Sequence, residues 1–227
     1  MDIDDEKIRF AVKHTEILRA PKQSLSTFGT TNVYYYLVTE PAYSELVKNI
    51  TETVVREGKV IAERPRIVTP YYLSRLEGFS PEAKRYFDML IRTHGQNAPG
   101  LFYSYKNEPK EINIVSDDLL SVVNNLNARI DRRGDPLVSI IKGEDEFWDV
   151  SLMKFIYELT RSSLQDNLMQ LGSRGLLNVD TSGVPVDARI RIDELFRKVT
   201  RGEAEPNELK EELERWDLFE EYEDRFF

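Results

Sequence analysis

The stretch from Asp149 to Leu171 constrains the fold of this chain more than any other. Its first half is apolar on nearly every side. Its second half keeps an apolar stripe at the i, i+4, i+7 spacing of one helix face, formed by Leu164, Leu168 and Leu171. We predict one long helix here. Because a helix that is apolar all round must be covered from several directions, we expect it at the centre of the core, with Ile156 and Leu164 buried.

Strand patterns come mainly before this helix. Alternating apolar residues predict a strand from Lys7 to Leu18, which would bury His14 on the same face as Phe10 and Val12. Further strands are expected at 32–39, 59–68 (an edge strand interrupted at Pro65), 101–105, 111–115 and 137–141. Helices are expected at 41–57, 81–93, 117–130 (capped by Ser116 and Asp117), 187–199 and 206–227.

This order of elements is typical of an α+β fold. We expect a mainly antiparallel or mixed sheet in the N-terminal two-thirds and a helical C-terminal third around the long helix. The predicted organisation is an α+β domain over 1–143, a helical region over 144–202 continuous with its core, and an acidic amphipathic helix over 203–227.

Composition excludes several classes of protein. The 227 residues include no cysteine, so disulfides, thiolate nucleophiles and cysteine-ligated metals are absent. The acidic N-terminus lacks the apolar segment of a secretion signal, and no run of residues is apolar enough to span a bilayer. We therefore expect a cytoplasmic protein that does not enter a membrane.

The C-terminal 25 residues carry most of the negative charge. The chain has a net charge of −9, and residues 203–227 hold eleven acidic against three basic side chains. Large apolar residues recur there at helical spacing: Leu209, Leu213, Trp216, Phe219 and Tyr222. Soluble monomers seldom expose such a stripe, so we expect it to pack on its own chain or bind a protein partner or second copy. An interaction or assembly protein is the first functional hypothesis.

A second hypothesis is a nucleic-acid-associated protein. Tyrosines and arginines of the strand region could stack bases and hold phosphates. The candidate ligand surface consists of His14, Tyr35, Arg64 and Arg66. Consecutive tyrosines of one strand point to opposite faces, so Tyr34 to Tyr36 cannot form a single platform.

A third hypothesis is a hydrolase or transferase with His14 as general base. The sequence contains no recognisable catalytic, nucleotide-binding or metal-binding motif, so we assign no catalytic residue, metal or cofactor. The acidic clusters at Asp117–Asp118 and Glu144–Asp149 fit helix N-termini, and His94 fits a helix C-terminus. Whether the chain is an enzyme stays open.

Overall fold

The chain folds into two compact units, each built from two separate stretches of sequence. A computed structural model describes residues 3–45, 51–69, 72, 91–93, 95 and 100–226. The first unit consists of Met1–Arg64 and Tyr103–Asn167, and the second of Pro65–Phe102 and Leu168–Phe227. The predicted α+β class, with a mixed sheet and a long helix in the C-terminal part, is confirmed.

Thirteen helices and strands are described in chain order. They are α1 (Ile3–His14), β1 (Glu16–Arg19), β2 (Thr31–Thr39), β3 (Thr53–Ala62), β4 (Arg66–Val68), β5 (Gly100–Phe102), β6 (Tyr105–Val115), α2 (Leu119–Arg133), β7 (Val138–Lys142), α3 (Trp148–Ser173), α4 (Val186–Thr200), α5 (Pro206–Trp216) and α6 (Phe219–Phe226). Short 3-10 helices lie at Ala42–Glu45 and Asp145–Phe147. No described helix is both long enough and apolar enough to cross a membrane.

The first unit is a five-stranded sheet with apolar side chains packed on both faces. The strand order is β1-β7-β2-β3-β6, with β7 parallel to β2 and the other neighbours antiparallel. The alternating side chains of β2 divide between two buried clusters. Val33, Tyr35 and Leu37 join α3 residues such as Phe155, whereas Tyr36 and Val38 join α2 residues such as Leu126. Both faces of β2 are therefore covered, as expected for an interior strand of the sheet.

The predicted strand from Lys7 to Leu18 is wrong, because most of it is helix α1. Ala11 of this helix is buried, and the hydroxyl of Thr15, the buried residue that follows the helix, donates to the Ala11 carbonyl oxygen at 2.8 Å. Acidic residues at the N-terminus and Lys13 and His14 at the C-terminus favour the helix dipole. His14 is exposed rather than buried, and its ring lies 3.9 Å from that of Phe10, one helical turn earlier.

Helix α3 has one buried face, so the predicted all-round coverage is wrong. Ile156 is buried as expected, but Leu164 is 39% exposed and Met153 is 64% exposed. Two of the three buried positions in the second half, Ser163 and Asn167, are polar, and the third is Leu171. The Ser163 hydroxyl accepts from the Leu25 backbone N–H at 3.0 Å, and Asn167 is fully buried beside Tyr103. Hydrogen bonding to loop and strand residues therefore stabilises the polar part of a buried face that also contains Phe155 and Ile156.

Three other predicted boundaries change. The predicted helix over 41–57 is wrong at its end, because β3 begins at Thr53, and the predicted edge strand over 59–68 divides into the interior strand β3 and the short β4. The two strands predicted around 101–115 become β5 and a long β6 that includes Pro109.

Helix α2 is capped by Asp118, whose side chain accepts from the Ser121 N–H, rather than by Ser116 and Asp117. Most of the predicted helix over 81–93, and His94, lie outside the described residues.

The second unit contains the strand pair β4–β5 and helices α4 to α6. Its core joins α4 residues such as Ile192 and Phe196 to Leu209, Leu213 and Trp216 of α5. The single C-terminal helix that was predicted is divided in two. Asp217 adopts a left-handed backbone conformation with a φ of 61°, which ends α5 before α6 begins.

Candidate functional site

A groove of about 550 Å³ lies in the first unit. It lies on the α2 side of the sheet, between the C-terminal half of α2 and the middle of β6. We call it the Tyr34 groove; its central side chains are Tyr34, Tyr36, Lys59, Lys110, Arg129 and Arg133. Its size is within the range of small-molecule sites.

The alternation of side chains along β2 and β3 determines which residues form the floor of the groove. Tyr34 and Tyr36 share one face of β2, and the register sets them opposite Lys59 and Glu57 of β3. The Arg129 guanidinium lies 5.0 Å from the centre of the Tyr36 ring, and Tyr36 is buried. Tyr34 lies beside Val138, the first residue of β7, and is 45% exposed. It is the accessible aromatic side chain of this floor.

The exposure of Tyr34 follows from where α2 ends. Gly134 adopts a left-handed conformation with a φ of 68° and donates its backbone N–H to the Ile130 carbonyl oxygen. The chain then turns into β7 within four residues, and the Asp135 carboxylate accepts from the Leu137 N–H at 2.9 Å. The helix therefore stops at Arg133, and its last turn faces the groove.

A bulge in β6 brings Lys110 to the groove. Glu57 pairs with Glu111 while the next residue, Gly58, pairs with Pro109, so Lys110 is the extra residue of the edge strand. Proline lacks a backbone N–H and is tolerated at an edge or a bulge. The Pro109-Lys110 pair in the sequence is the signal that could have predicted this bulge.

Two of the four groove cations are already neutralised, and two are free. Lys59 forms an ion pair with Glu108 at 3.0 Å, and Arg129 lies 3.4 Å from the carboxylate of Glu57. Hydrogen bonds from Lys106 and Lys59 hold the pKa of Glu108 below its usual range. The exposed side chains of Lys110 and Arg133 make no ion pair or hydrogen bond with any part of the chain that the structure describes.

A second cavity of about 340 Å³ shares Tyr34 and Asp135 with the groove. Small polar side chains line it, among them Gln23, Ser24 and Asn32. Amides and hydroxyls both donate and accept hydrogen bonds. The exposed Tyr34 side chain thus lines both cavities.

Of the four residues of the predicted ligand surface, Tyr35 lines the Tyr34 groove and the other three do not. His14 is exposed on α1 and does not line the groove. Tyr35 borders the groove but is 1% exposed; its hydroxyl donates to Asn107 at 3.0 Å, and burial raises its pKa. Arg64 belongs to the first unit and Arg66 to β4 of the second. Sequence reasoning missed Lys110, Arg129 and Arg133, although the i, i+4 spacing of the two arginines places them on one helix face.

The predicted partner-binding residues are largely inside the second unit. Leu209, Leu213 and Trp216 are at most 3% exposed, while Phe219 and Tyr222 are partly buried against the same core. The Trp216 indole donates to Glu212 at 3.2 Å, and its ring centre lies 4.7 Å from that of Tyr72. A partner could reach these three side chains only if this core opened.

The acidic clusters have structural partners. Asp118 caps α2, and Asp145 accepts from the Thr39 hydroxyl and pairs with Arg56, both at 2.8 Å. Within the described residues, no three His, Asp or Glu side chains are placed to hold a metal ion.

No protein-family model, curated protein or solved structure matches the chain. The geometry of the Tyr34 groove is therefore the basis for a functional proposal.

Proposed function

We propose that this chain binds a nucleotide unit, an aromatic base carrying a phosphate, in the Tyr34 groove. The observation that carries the proposal is the exposed Tyr34 ring in a groove lined by two cations, Lys110 and Arg133, that have no partner within the described chain. A base stacked on an aromatic side chain contributes about 1–3 kcal/mol and needs no particular sequence. Arginine and lysine are the side chains that hold phosphate.

The charge balance of the groove favours a small or single-stranded ligand over a duplex. Two of its three carboxylates are held in ion pairs with Lys59 and Arg129, and the third, Asp135, accepts from a backbone N–H. Four cations against three carboxylates leave the groove lining with a net charge of +1, which suits one phosphate group. Binding along a duplex requires a broad basic face, and a chain with a net charge of −9 is poorly suited to that.

The polar cavity on the other side of Tyr34 gives the base edge hydrogen-bonding partners. Gln23 and Asn32 carry side-chain amides, which match the donor and acceptor patterns of bases. A base lying on Tyr34 would thus point its edge towards these amides while its phosphate faces Lys110 and Arg133. These side chains would bind either a free nucleotide or one nucleotide of a single-stranded nucleic acid.

Titration of the full chain with nucleotides tests the proposal. Fluorescently labelled oligouridylate and oligothymidylate would be measured by anisotropy at 50 to 200 mM salt, and UMP and ATP by calorimetry. We expect Tyr34→Ala to weaken binding about 5- to 150-fold, the equivalent of about 1–3 kcal/mol. Arg133→Glu should weaken binding and reduce its salt dependence, by about 0.7 in the logarithmic slope for each phosphate of a single strand that the variant no longer neutralises.

Matched controls are available in the same unit. Arg132 is an exposed arginine next to Arg133 but outside the groove lining, and Tyr157 is a 66% exposed tyrosine on α3. Arg132→Glu and Tyr157→Ala should leave the affinity unchanged. Saturation by mononucleotides identifies a free nucleotide as the ligand, whereas binding of oligomers alone identifies a single strand. No binding of either, or equal losses in groove and control variants, would refute the proposal.

A further inference from the structure

The outer edge of β6 is a pairing surface that the nucleotide proposal does not use. β6 is the last strand of the five-stranded sheet and pairs with β3 along its other edge. An edge strand presents a row of unpaired backbone N–H and C=O groups, which another strand can join. At eleven residues, β6 is long for an edge strand.

Protection against such pairing is confined to the first half of β6. That half contains Lys106, Pro109, Lys110 and the bulge, all features that disfavour edge-to-edge association. The second half, Glu111–Val115, pairs regularly with β3 and has no lysine, proline or bulge. It also exposes two large apolar side chains, Ile112 at 66% and Ile114 at 59%.

We propose that the second half of β6 pairs antiparallel with the same segment of a second copy, around a two-fold axis at Asn113. Cyclic two-fold dimers are the commonest oligomers, and each half of their interface is the same surface. In an antiparallel pair, residues directly opposite one another lie on the same face of the sheet. Ile112 of one copy would then lie opposite Ile114 of the other, giving four adjacent isoleucines on one face of a ten-stranded sheet.

The pairing of the isoleucines selects this axis over its neighbours. An axis at Asn113 sets Glu111 opposite Val115 and uses all five regular residues. An axis at Glu111 would set two glutamates directly opposite each other, which is destabilising, and would set Ile114 opposite Glu108. An axis at Ile112 would set Ile114 opposite the bulged Lys110. Only an axis at Asn113 sets both isoleucines opposite isoleucines, so the apolar pairing defines a single register.

Association of the full chain tests the proposal without any nucleotide. Sedimentation equilibrium over a range of concentrations should show a reversible monomer–dimer equilibrium. Ile112→Lys should weaken dimerisation by at least tenfold, and Ile114→Lys should do the same. Met153→Lys, at a 64% exposed position on α3, is the matched control and should dimerise normally. A chain that stays monomeric, or a dimer unaffected by either isoleucine substitution, would overturn the proposal.

Cross-linking tests the register independently of the stability of the variants. Because the chain has no cysteine, a single introduced thiol can form a disulfide only with a second copy. Asn113→Cys should cross-link under mild oxidation faster than Glu111→Cys, since residue 113 alone meets itself at the axis. Faster cross-linking of Glu111→Cys, or equal slow rates for both, would exclude this pairing. Capture of extended peptides from another protein, with no self-association, would identify a different occupant of the edge and would also overturn it.

Discussion

The side chain of Tyr35 occupies the space above Gly58 that a Cβ atom at position 58 would need. The two residues are directly opposite in the β2–β3 pair, and the ring atom Cε1 of Tyr35 would lie 2.9 Å from such a Cβ. Tyr35 is fully buried and its hydroxyl reaches Asn107 of β6. Since Gly58 separates Glu57 from Lys59, this packing on one face of the sheet supports the floor of the Tyr34 groove on the other.

Gly58→Ala should therefore destabilise the chain by about 1–3 kcal/mol, the usual cost of overpacking. In a strand without such a neighbour, alanine would instead be favoured over glycine by about 0.5–1 kcal/mol. Gly29→Ala is the control, because its Cβ would make only ordinary contact with Ser26. Urea unfolding measures both, and in a Tyr35→Ala background the penalty at Gly58 should largely disappear. A neutral Gly58→Ala would show that Tyr35 moves aside freely.

Ile156→Ala should cost about 2–5 kcal/mol, whereas Leu164→Ala should cost less than about 1 kcal/mol. Both are apolar residues of α3, but Ile156 is 7% exposed and Leu164 is 39% exposed. The fluorescence of Trp148, measured in a Trp216→Phe background, reports unfolding of the first unit because the chain has only two tryptophans. Equal costs at the two positions would mean that the buried face of α3 is assigned to the wrong side.

Asp145 should make stability depend on acid pH. Burial alone would raise its pKa, but hydrogen bonds from Thr39 and Arg56 outweigh it and hold the pKa below its ordinary value. A carboxyl group with a lowered folded-state pKa stabilises the fold above its unfolded pKa, and this contribution is lost as the pH falls through the folded value. Asp145→Asn should cost about 1–3 kcal/mol at pH 7 and progressively less as the pH falls through the folded-state pKa. Unfolding measured over a series of acid pH values checks this; a loss that does not change with pH would assign the effect to packing.

Leu213→Ala should destabilise the second unit by about 2–5 kcal/mol, because Leu213 is fully buried against α4 residues. Trp216 fluorescence in a Trp148→Phe background follows this unit. Lys210→Ala, on the exposed face of the same helix, is the control and should be near neutral.

Truncation after Gly202 should lower the melting temperature and expose Ile192 and Phe196 to an apolar dye. If truncation left stability unchanged while abolishing capture of a protein partner, α5 and α6 would be a recognition element instead.

Sequence patterns predicted the type of element correctly where the hydrophobic pattern of a segment had a single period. The tyrosine-rich run of β2, the apolar stripe of α2 and the Leu209–Leu213–Trp216 spacing of α5 each had a single period, and each formed the predicted type of element. Strand and helix periods were confused in α1, where the alternating residues Ile8, Phe10 and Val12 are exposed and Ala11 is buried. The burial of Leu164 was mispredicted because the neighbouring buried positions, Ser163 and Asn167, are polar and become favourable inside only through partners distant in sequence.

The sequence by itself determined the α+β class, the long helix and the apolar face of α5, because hydrophobic periodicity and helix-ending residues are local properties. Tertiary structure alone decided that Lys110 and Arg133 share a groove with Tyr34, since the three lie on β6, α2 and β2 and are brought together by strand register, a bulge and the end of a helix. It also decided that the C-terminal stripe is used within its own unit. Local patterns show that a surface must be covered, but the surface that covers it depends on packing between residues far apart in the chain.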